Sequence, residues 1–296
     1  MTRFLIGNER SLTELGSSEE LLAKPVVVAR EDGEWWAISE GSRVLRSEDA
    51  NAWDEVATVR GLDARCVLPF EGGALVGTSE AHLLRVADGS AKRVAPFDKV
   101  PTRDDWYTPW GGPPDVRSMS RGADGAAYAN VHVGGILRSD GGEKWRPTSM
   151  EVDADVHQVL AHPDTPGLVF AATAVGLATS TDGGETWNFS EDGMHASYCR
   201  AVAIAGDTLL VSASKSHTGR QSALYRRPLM GGPFERCQKG LPEWFADNVD
   251  TFCLDARGTD AVLGTSDGLV FVSDDAGETW HEEASGLPSI TCVAID

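Results

Sequence analysis

The sequence predicts an all-β protein built from a repeated unit, on three observations. A tryptophan closes a short acidic, glycine-containing turn in RSEDANAW, RSDGGEKW, STDGGETW and SDDAGETW. These turns end at Trp53, Trp145, Trp187 and Trp280, at spacings near one or two lengths of about 46 residues. Glycine is abundant, with 32 in 296 residues, and no long stretch shows the apolar period of an amphipathic helix.

Two of the tryptophan spacings are wide enough to contain one more repeat each. Phe234 in GGPFERC lies midway between Trp187 and Trp280, where the missing tryptophan would stand. Self-similarity at this period indicates a propeller, a solenoid or an array.

The turn pattern Ser-x-Asp-x-Gly-x-x-Trp resembles the Asp-box of the BNR repeat family, which includes sialidases. The resemblance covers most of the chain and implies a β-propeller. It also implies a structural turn, in which Asp275 accepts backbone N–H groups, Gly277 takes a positive φ and Trp280 packs on the next strand. The same roles fall in the other well-formed copy to Asp182, Gly184 and Trp187.

One inner strand is expected in each repeat. Six of them are expected to begin near Val26, Cys66, Ser118, Gln158, Ala201 and Thr251. The last segment, SITCVAID, supplies a seventh, and FLIGNE, SLTELG and EELLAK at the N-terminus supply its partners. The prediction is one domain over residues 1–296, a seven-bladed propeller closed by pairing of the N- and C-terminal strands. The alternative is six blades with a loose N-terminal arm.

Composition narrows the classes of partner. The net charge is -19, with 45 Asp and Glu against 26 Lys and Arg, which argues against nucleic acid and membranes as partners. The N-terminus, MTRFLIGNERSLTEL, lacks the pattern of a signal peptide, and no segment is apolar enough to span a membrane. Five cysteines, an odd number, fit a reducing compartment. We expect a soluble cytoplasmic protein.

Basic residues recur at one position of the repeat, the entry of each inner strand. The residues there are Arg65, Arg117, His157, Arg200, Asp250 and Thr291. We expect them to converge on the face opposite the Asp-boxes, where guanidinium groups could bind an anionic or polar ligand. The alternative is structural, because Asp63, Asp115 and Asp155 lie two residues before three of these positions and could pair with the basic residues of neighbouring blades.

The resemblance also bears on catalysis. The likeness to sialidases would imply a three-arginine clamp on a substrate carboxylate, yet the chain has no Arg-Ile-Pro segment. Sialidase activity is therefore not expected. For a glycosidase-like hydrolase, the candidate catalytic residues are Glu80, Asp250 and Tyr198.

Histidines offer a second chemistry. His82, His132, His157 and His217 map to the same face on adjacent blades and could hold a divalent transition metal, with Glu80 or Asp250 completing the set. The alternative is that each imidazole caps backbone carbonyl groups.

The longest connection runs from Phe97 to Asp115 and carries Trp106, Tyr107 and Trp110. It is either an aromatic flap over a ligand, in which Trp106 and Trp110 bind, or a plug that packs on the propeller. Two functions follow from these patterns. One is a small-molecule site, with hydrolase or metal-assisted lyase chemistry, and the other is a non-catalytic scaffold for a protein partner.

Overall fold

The computed structural model describes residues 2–31 and 33–296, and these residues form a seven-bladed β-propeller. They contain seven antiparallel sheets of four strands each. Helix is confined there to four short 3-10 turns, at Ser79–Ala81, Phe97–Lys99, Arg103–Asp105 and Val152–Ala154. No helix of the described residues is long and apolar enough to cross a membrane.

The strands follow one another blade by blade. Blade 1 contains β1 (Phe4–Asn8), β2 (Ser11–Glu14) and β3 (Leu22–Ala23). Blade 2 contains β4 (Pro25–Glu31), β5 (Glu34–Ser39), β6 (Arg43–Ser47) and β7 (Asp54–Thr58). Blade 3 contains β8 (Ala64–Phe70), β9 (Gly73–Thr78), β10 (Leu83–Ala87) and β11 (Ser90–Arg93). Blade 4 contains β12 (Val116–Arg121), β13 (Ala127–Val131), β14 (Gly135–Ser139) and β15 (Arg146–Pro147).

The remaining blades repeat this order. Blade 5 contains β16 (Val156–Ala161), β17 (Val169–Thr173), β18 (Gly176–Ser180) and β19 (Asn188–Ser190). Blade 6 contains β20 (Tyr198–Ala205), β21 (Thr208–Ser214), β22 (Ala223–Pro228) and β23 (Glu235–Arg236). Blade 7 contains β24 (Leu254–Arg257), β25 (Asp260–Gly264), β26 (Val270–Ser273) and β27 (His281–Ala284), and β28 (Ile290–Ile295) then joins blade 1.

The blades fall into two compact units. The three-blade unit comprises Met1–Val28, Ala174–Leu177 and Ser190–Asp296, and it holds blades 1, 6 and 7. The four-blade unit comprises Ala29–Thr173 and Ala178–Phe189, and it holds most of blades 2 to 5.

Pairing of the two chain ends closes blade 1, as the sequence predicted. Strand β1 lies between β28 and β2, with Leu5 opposite Ala294 and Ile6 opposite Val293. Ile6 and Val293 are buried in one apolar cluster. The prediction of seven blades closed by the terminal strands is therefore confirmed, and the six-blade alternative is wrong.

The Asp-box turn of blade 7 has the hydrogen bonds that its residues predict. Asp275 Oδ1 accepts the Thr279 amide at 2.8 Å, and the Ser273 hydroxyl accepts the Gly277 amide at 2.9 Å. The Trp280 Nε1–H donates to the Gly277 carbonyl at 3.1 Å. Gly277 has a φ of 78°, which costs a glycine little. The turn is thus closed by its own side chains.

This turn also holds blade 7 to blade 6. The Trp280 amide donates to the Lys239 carbonyl at 3.0 Å, just after β23. The Trp280 ring is 2% exposed and lies in a buried cluster with Leu210 and Cys237 of blade 6. Gly240 follows Lys239, and a Cβ there would lie 1.8 Å from the Trp280 carbonyl oxygen. The close approach of the two blades therefore requires glycine.

Phe234 occupies the corresponding place in blade 6. Its amide donates to the Asp192 carbonyl at 2.8 Å. A Cβ on Gly193 would lie 2.1 Å from the Phe234 carbonyl oxygen. Its ring is 3% exposed. The contact thus survives the replacement of tryptophan by phenylalanine, because the backbone makes the bond and any large apolar ring fills the site.

One inner strand begins later than expected. Strand β24 starts at Leu254 rather than near Thr251. Asp250 forms a turn first, because its Oδ1 accepts the Thr251 amide at 2.8 Å and its carbonyl accepts the Cys253 amide at 2.9 Å. Side-chain capping of this kind competes with strand pairing.

We expect Trp280→Ala to lower the free energy of unfolding by about 3–5 kcal/mol, because a fully buried ring leaves a cavity between two blades. Trp53→Ala is the control, since Trp53 is only half-buried in the turn of blade 2. Urea unfolding followed by circular dichroism measures both. Equal losses in the two variants would contradict the assigned role of Trp280.

A partly buried carboxyl, that of Asp255, makes stability depend on pH. Burial raises the pKa of Asp255 to about 6, although the amides of Ile295 and Ala256 donate to its oxygens, each at 2.9 Å. The folded state therefore favours the protonated form. The contribution of Asp255 to the free energy of unfolding thus falls as pH rises from about 4 to about 6. We expect the free energy of unfolding of Asp255→Asn, relative to that of the wild type, to rise by about 2 kcal/mol between pH 4 and pH 7.5.

Urea unfolding at both pH values measures this difference. Asp274→Asn, at an exposed position of the same blade, is the control and should show no such change. A difference between wild type and Asp255→Asn that stays constant with pH would refute the assignment.

Candidate functional site

The entry residue of most inner strands lies in a β-bulge. Here the pairing register with the second strand shifts by one or two residues. Bulges change the direction of a side chain and are frequent beside functional sites. The residues at these bulges are Arg65, Arg117, His157, Arg200 and Thr291.

Arg65 is engaged by two carboxylates in the four-blade unit. Its Nη2 lies 3.3 Å from Asp63 Oδ2, and its Nε lies 3.2 Å from Asp115 Oδ2, next to the first strand of blade 4. Burial raises the pKa of Asp115, and the positive charges of Arg65, His132 and Arg117 offset that effect only in part. The predicted alternative of an Arg–Asp pair between blades describes Arg65 well.

Two histidines meet one carboxylate in the same unit. His132 Nε2 lies 3.0 Å from Asp155 Oδ1, and His157 Nε2 lies 3.5 Å from Asp155 Oδ2. The His157 side chain is fully buried, whereas that of Asp155 is 24% exposed. Arg117 approaches the group, with NH1 3.4 Å from His132 Nε2. Burial alone would raise the pKa of Asp155, but hydrogen bonds and charge from His132 and His157 hold it well below its usual range.

The backbone fixes this group. The His132 amide donates to the Asp115 carbonyl at 2.9 Å and ties the end of blade 4's second strand to the entry of its first. Asp155 has a φ of 49° and Val133 a φ of 49°, in the left-handed region that non-glycine residues rarely adopt. Strain of this kind gathers at functional sites and persists where surrounding contacts determine it.

The long connection of blade 3 to blade 4 ends over this cluster. Trp106 packs on Phe97 at the start of this connection, with 6.0 Å between the two ring centroids, as expected for a plug. Trp110 behaves differently: it is 68% exposed, and its ring centroid lies 5.1 Å from that of His132. The Tyr107 hydroxyl donates to Asp153 at 2.8 Å, and this hydrogen bond raises the pKa of Tyr107. The loop therefore contains both a packed ring and an exposed one.

A second group of predicted residues lies in the three-blade unit. Arg200 NH1 is 2.7 Å from Asp250 Oδ2, and the Arg200 guanidinium lies 5.6 Å from the centre of the Tyr198 ring. Thr291 at the closing blade points its hydroxyl to the Pro25 carbonyl at 3.4 Å. Arg200 is thus paired with a carboxylate, as Arg65 is.

The other candidates have partners of their own. His82 Nδ1 lies 2.7 Å from Asp98 Oδ1 and 3.3 Å from an Arg103 nitrogen. His217 is exposed, and its carbonyl accepts Asn248 Nδ2 at 3.1 Å. Glu80 is exposed at a φ of 59°. Among the described residues, the three that bring metal-ligand atoms within 4.8 Å of one another are His132, Asp155 and His157.

The sequence analysis places Asp155 only as a partner for a basic side chain, and not with both His132 and His157. The signal in the sequence is the spacing Asp-Val-His, which puts this carboxylate two residues before His157. Asp155 precedes β16 on a left-handed backbone, so strand alternation does not predict the direction of its side chain.

Comparison with known proteins supports the fold. A BNR/Asp-box repeat model matches residues 271–282, the turn of blade 7. The chain is thus a β-propeller that carries a BNR/Asp-box repeat in blade 7. None of the curated proteins matches this chain.

Solved structures resemble this propeller at low identity. An ancestral GH74 enzyme aligns with a TM-score of 0.62 and 14% identity, over 92% of this chain and 38% of its own. YCF48 bound to D1 peptide aligns at 0.60 and 14%, over 95% and 85%. The WD40 beta propeller domain of Doa1 aligns at 0.60 and 12%, over 94% and 85%. The chain thus spans well under half of the GH74 enzyme, and these likenesses support the fold alone.

We expect Tyr107→Phe to speed amide hydrogen exchange in residues 107–112, because the variant removes the side-chain bond from this loop to Asp153. The free energy of unfolding should change by less than about 1 kcal/mol. Exchange in blade 7, followed by mass spectrometry, is the internal control. Unchanged exchange in the loop would show that Tyr107 does not hold it.

Proposed function

We propose that this propeller binds a small polar molecule against Trp110, beside Arg117, His132 and Asp155. The carrying observation is the position of Trp110. Its ring is 68% exposed, yet it contacts His132, and its loop is tied down. The Thr108 hydroxyl donates to the Gly112 carbonyl at 2.8 Å, within the same loop. An ordered exposed ring beside polar groups is the surface that amphipathic ligands use.

The charges favour a polar ligand over a strongly anionic one. Arg65 is matched by Asp63 and Asp115, so little of its charge is available to an added anion. Asp155 adds a further carboxylate beside His132. A ligand with hydroxyl groups could donate to Asp155 and accept from Arg117 while its apolar face covers Trp110.

Glycosidase-like hydrolysis is a further step of this proposal. It would need an acid and a base on one bound ligand. Of the candidates, Glu80 belongs to the four-blade unit, whereas Tyr198 and Asp250 lie in the three-blade unit around Arg200. The likeness to a GH74 enzyme supports testing hydrolysis, and binding is the primary proposal.

A protein partner is the second candidate function. Exposed tryptophans are frequent hot spots of protein interfaces, and Trp110 meets that description. The similar YCF48 structure holds a D1 peptide, which shows what that propeller binds and supports testing peptides here.

A cytoplasmic location belongs to the same proposal. All five cysteines are buried thiols, at Cys66, Cys199, Cys237, Cys253 and Cys292. Burial raises the pKa of each thiol, to about 12 for Cys237 and Cys292. Buried neutral thiols suit a reducing compartment. Localisation of a tagged full-length chain in its own cells tests this.

We expect Trp110→Ala to weaken binding of the best member of a panel of oligosaccharides and polyols by at least about 10-fold, because the stacking ring is lost. Phe189→Ala, at another exposed aromatic, is the control and should bind as the wild type does. Calorimetry measures affinity, and urea unfolding confirms that both variants fold.

Full binding by Trp110→Ala would refute the proposed site. A photo-crosslinking residue at position 110, used in cells, separates the two candidate functions. A crosslinked protein of defined mass favours the scaffold, whereas panel binding without such a product favours the small molecule.

A further inference from the structure

We infer that His132, Asp155 and His157 bind one divalent transition-metal ion. The inference goes beyond the proposed function, because an ion can bind here whether or not a small molecule binds at Trp110. It narrows the four-histidine prediction to two histidines and adds a carboxylate that the sequence did not assign.

The donor set fits first-row divalent ions. Two imidazole nitrogens and one carboxylate oxygen are ligands that zinc, cobalt and related ions accept, with bonds of about 2.0–2.2 Å. Bonds of that length, at tetrahedral angles, place ligand atoms about 3.4 Å apart. The observed separations are 3.0 Å from His132 Nε2 to Asp155 and 3.5 Å from His157 Nε2 to Asp155. Both separations are within about 0.4 Å of that value, and the three ligand atoms all lie within 4.8 Å of one another.

The fold holds these three side chains close together before any ion binds. His157 is fully buried at a bulge of β16, and His132 follows β13 with 14% of its side chain exposed. Their ring centroids are 5.9 Å apart. Asp155 lies between the two Nε2 atoms on a left-handed backbone. Ligands held by two blades lose little freedom on binding, which favours affinity.

Three protein ligands leave a position for water or a ligand molecule. Catalytic zinc sites have this arrangement, whereas structural ones supply four protein ligands. Arg117 NH1 is 3.4 Å from His132 Nε2, so its positive charge opposes a cation at this place. We therefore expect the ion to displace Arg117, and affinity to rise when that charge is removed.

The environment of His82 shows why it makes a poorer site. Its carboxylate partner, Asp98, is also approached by two arginines, at 3.4 Å from Arg93 and 3.7 Å from Arg103. These charges would repel an ion. His217 is exposed, and among the described residues it belongs to no group of three metal-ligand side chains.

The test uses the full chain, treated with EDTA and then titrated with Co²⁺ and with Zn²⁺. We expect one Co²⁺ per chain, with a visible absorption band of a low-symmetry site, and one Zn²⁺ by calorimetry. His132→Ala and Asp155→Asn should each weaken binding by more than about 100-fold, the upper range for loss of an outer-shell partner. Arg117→Gln should strengthen it about 3-fold or more.

His217→Ala is the matched control and should bind both ions as the wild type does. Asp155→Asn keeps the size of the side chain, so it stays informative if a histidine variant fails to fold. Stoichiometric binding lost in both variants supports the site. Weak binding of several ions, or full binding by folded His132→Ala, would overturn it.

Trp110→Ala separates this inference from the proposed function. That variant should keep the Co²⁺ band while it loses the polar ligand. Metal binding without any panel ligand would refute only the small-molecule proposal, and panel binding without metal would refute only the inference made here.

Discussion

Blades 6 and 7 depend on a backbone hydrogen bond from the aromatic residue that ends their outer turn to the segment before that blade. Trp280 donates to the Lys239 carbonyl, and Phe234 makes the same bond to Asp192. Each ring is buried beside a glycine that no other residue could replace without a clash. Since a four-stranded blade cannot bury its apolar faces alone, a repeated contact between neighbours is what makes the repeats into one fold. Because the backbone makes this hydrogen bond, Phe234 can form it even though its turn lacks the aspartate of an Asp-box.

The candidate site depends on a different local feature, the bulge at the entry of the inner strands. A bulge releases one residue from the regular alternation, so Arg65 and His157 can meet groups of neighbouring blades. Arg65 and Arg200, two of the arginines at bulges, each meet a carboxylate there. Carboxylates therefore offset the positive charge at these two positions.

The blade count and closure could be predicted because they follow from a period and from an inventory of strands. Seven inner strands and three N-terminal segments leave one arrangement that pairs every edge, and β1 with β28 realises it. The residues of the site were harder to predict. His82 and His132 both follow the second strand of their blade, yet Asp98 and Arg103 engage the first, whereas Asp155 and Arg117 meet the second. Loop lengths differ between blades, so equal positions in an alignment do not give equal surroundings. The late start of β24 has a local cause, a side-chain cap at Asp250.

The sequence by itself determined the architecture of this propeller, because its signals are local and repeated: a turn closed by its own side chains, and a spacing that sets the blade. It also determined which residue types stand at each strand entry. Only the tertiary structure decided which of them meet, that Trp106 is packed while Trp110 is exposed, and that Asp155 joins two histidines. The physical reason is that such encounters lie between blades. They depend on ångström-scale approaches of segments far apart in the chain, which no periodicity within one repeat records.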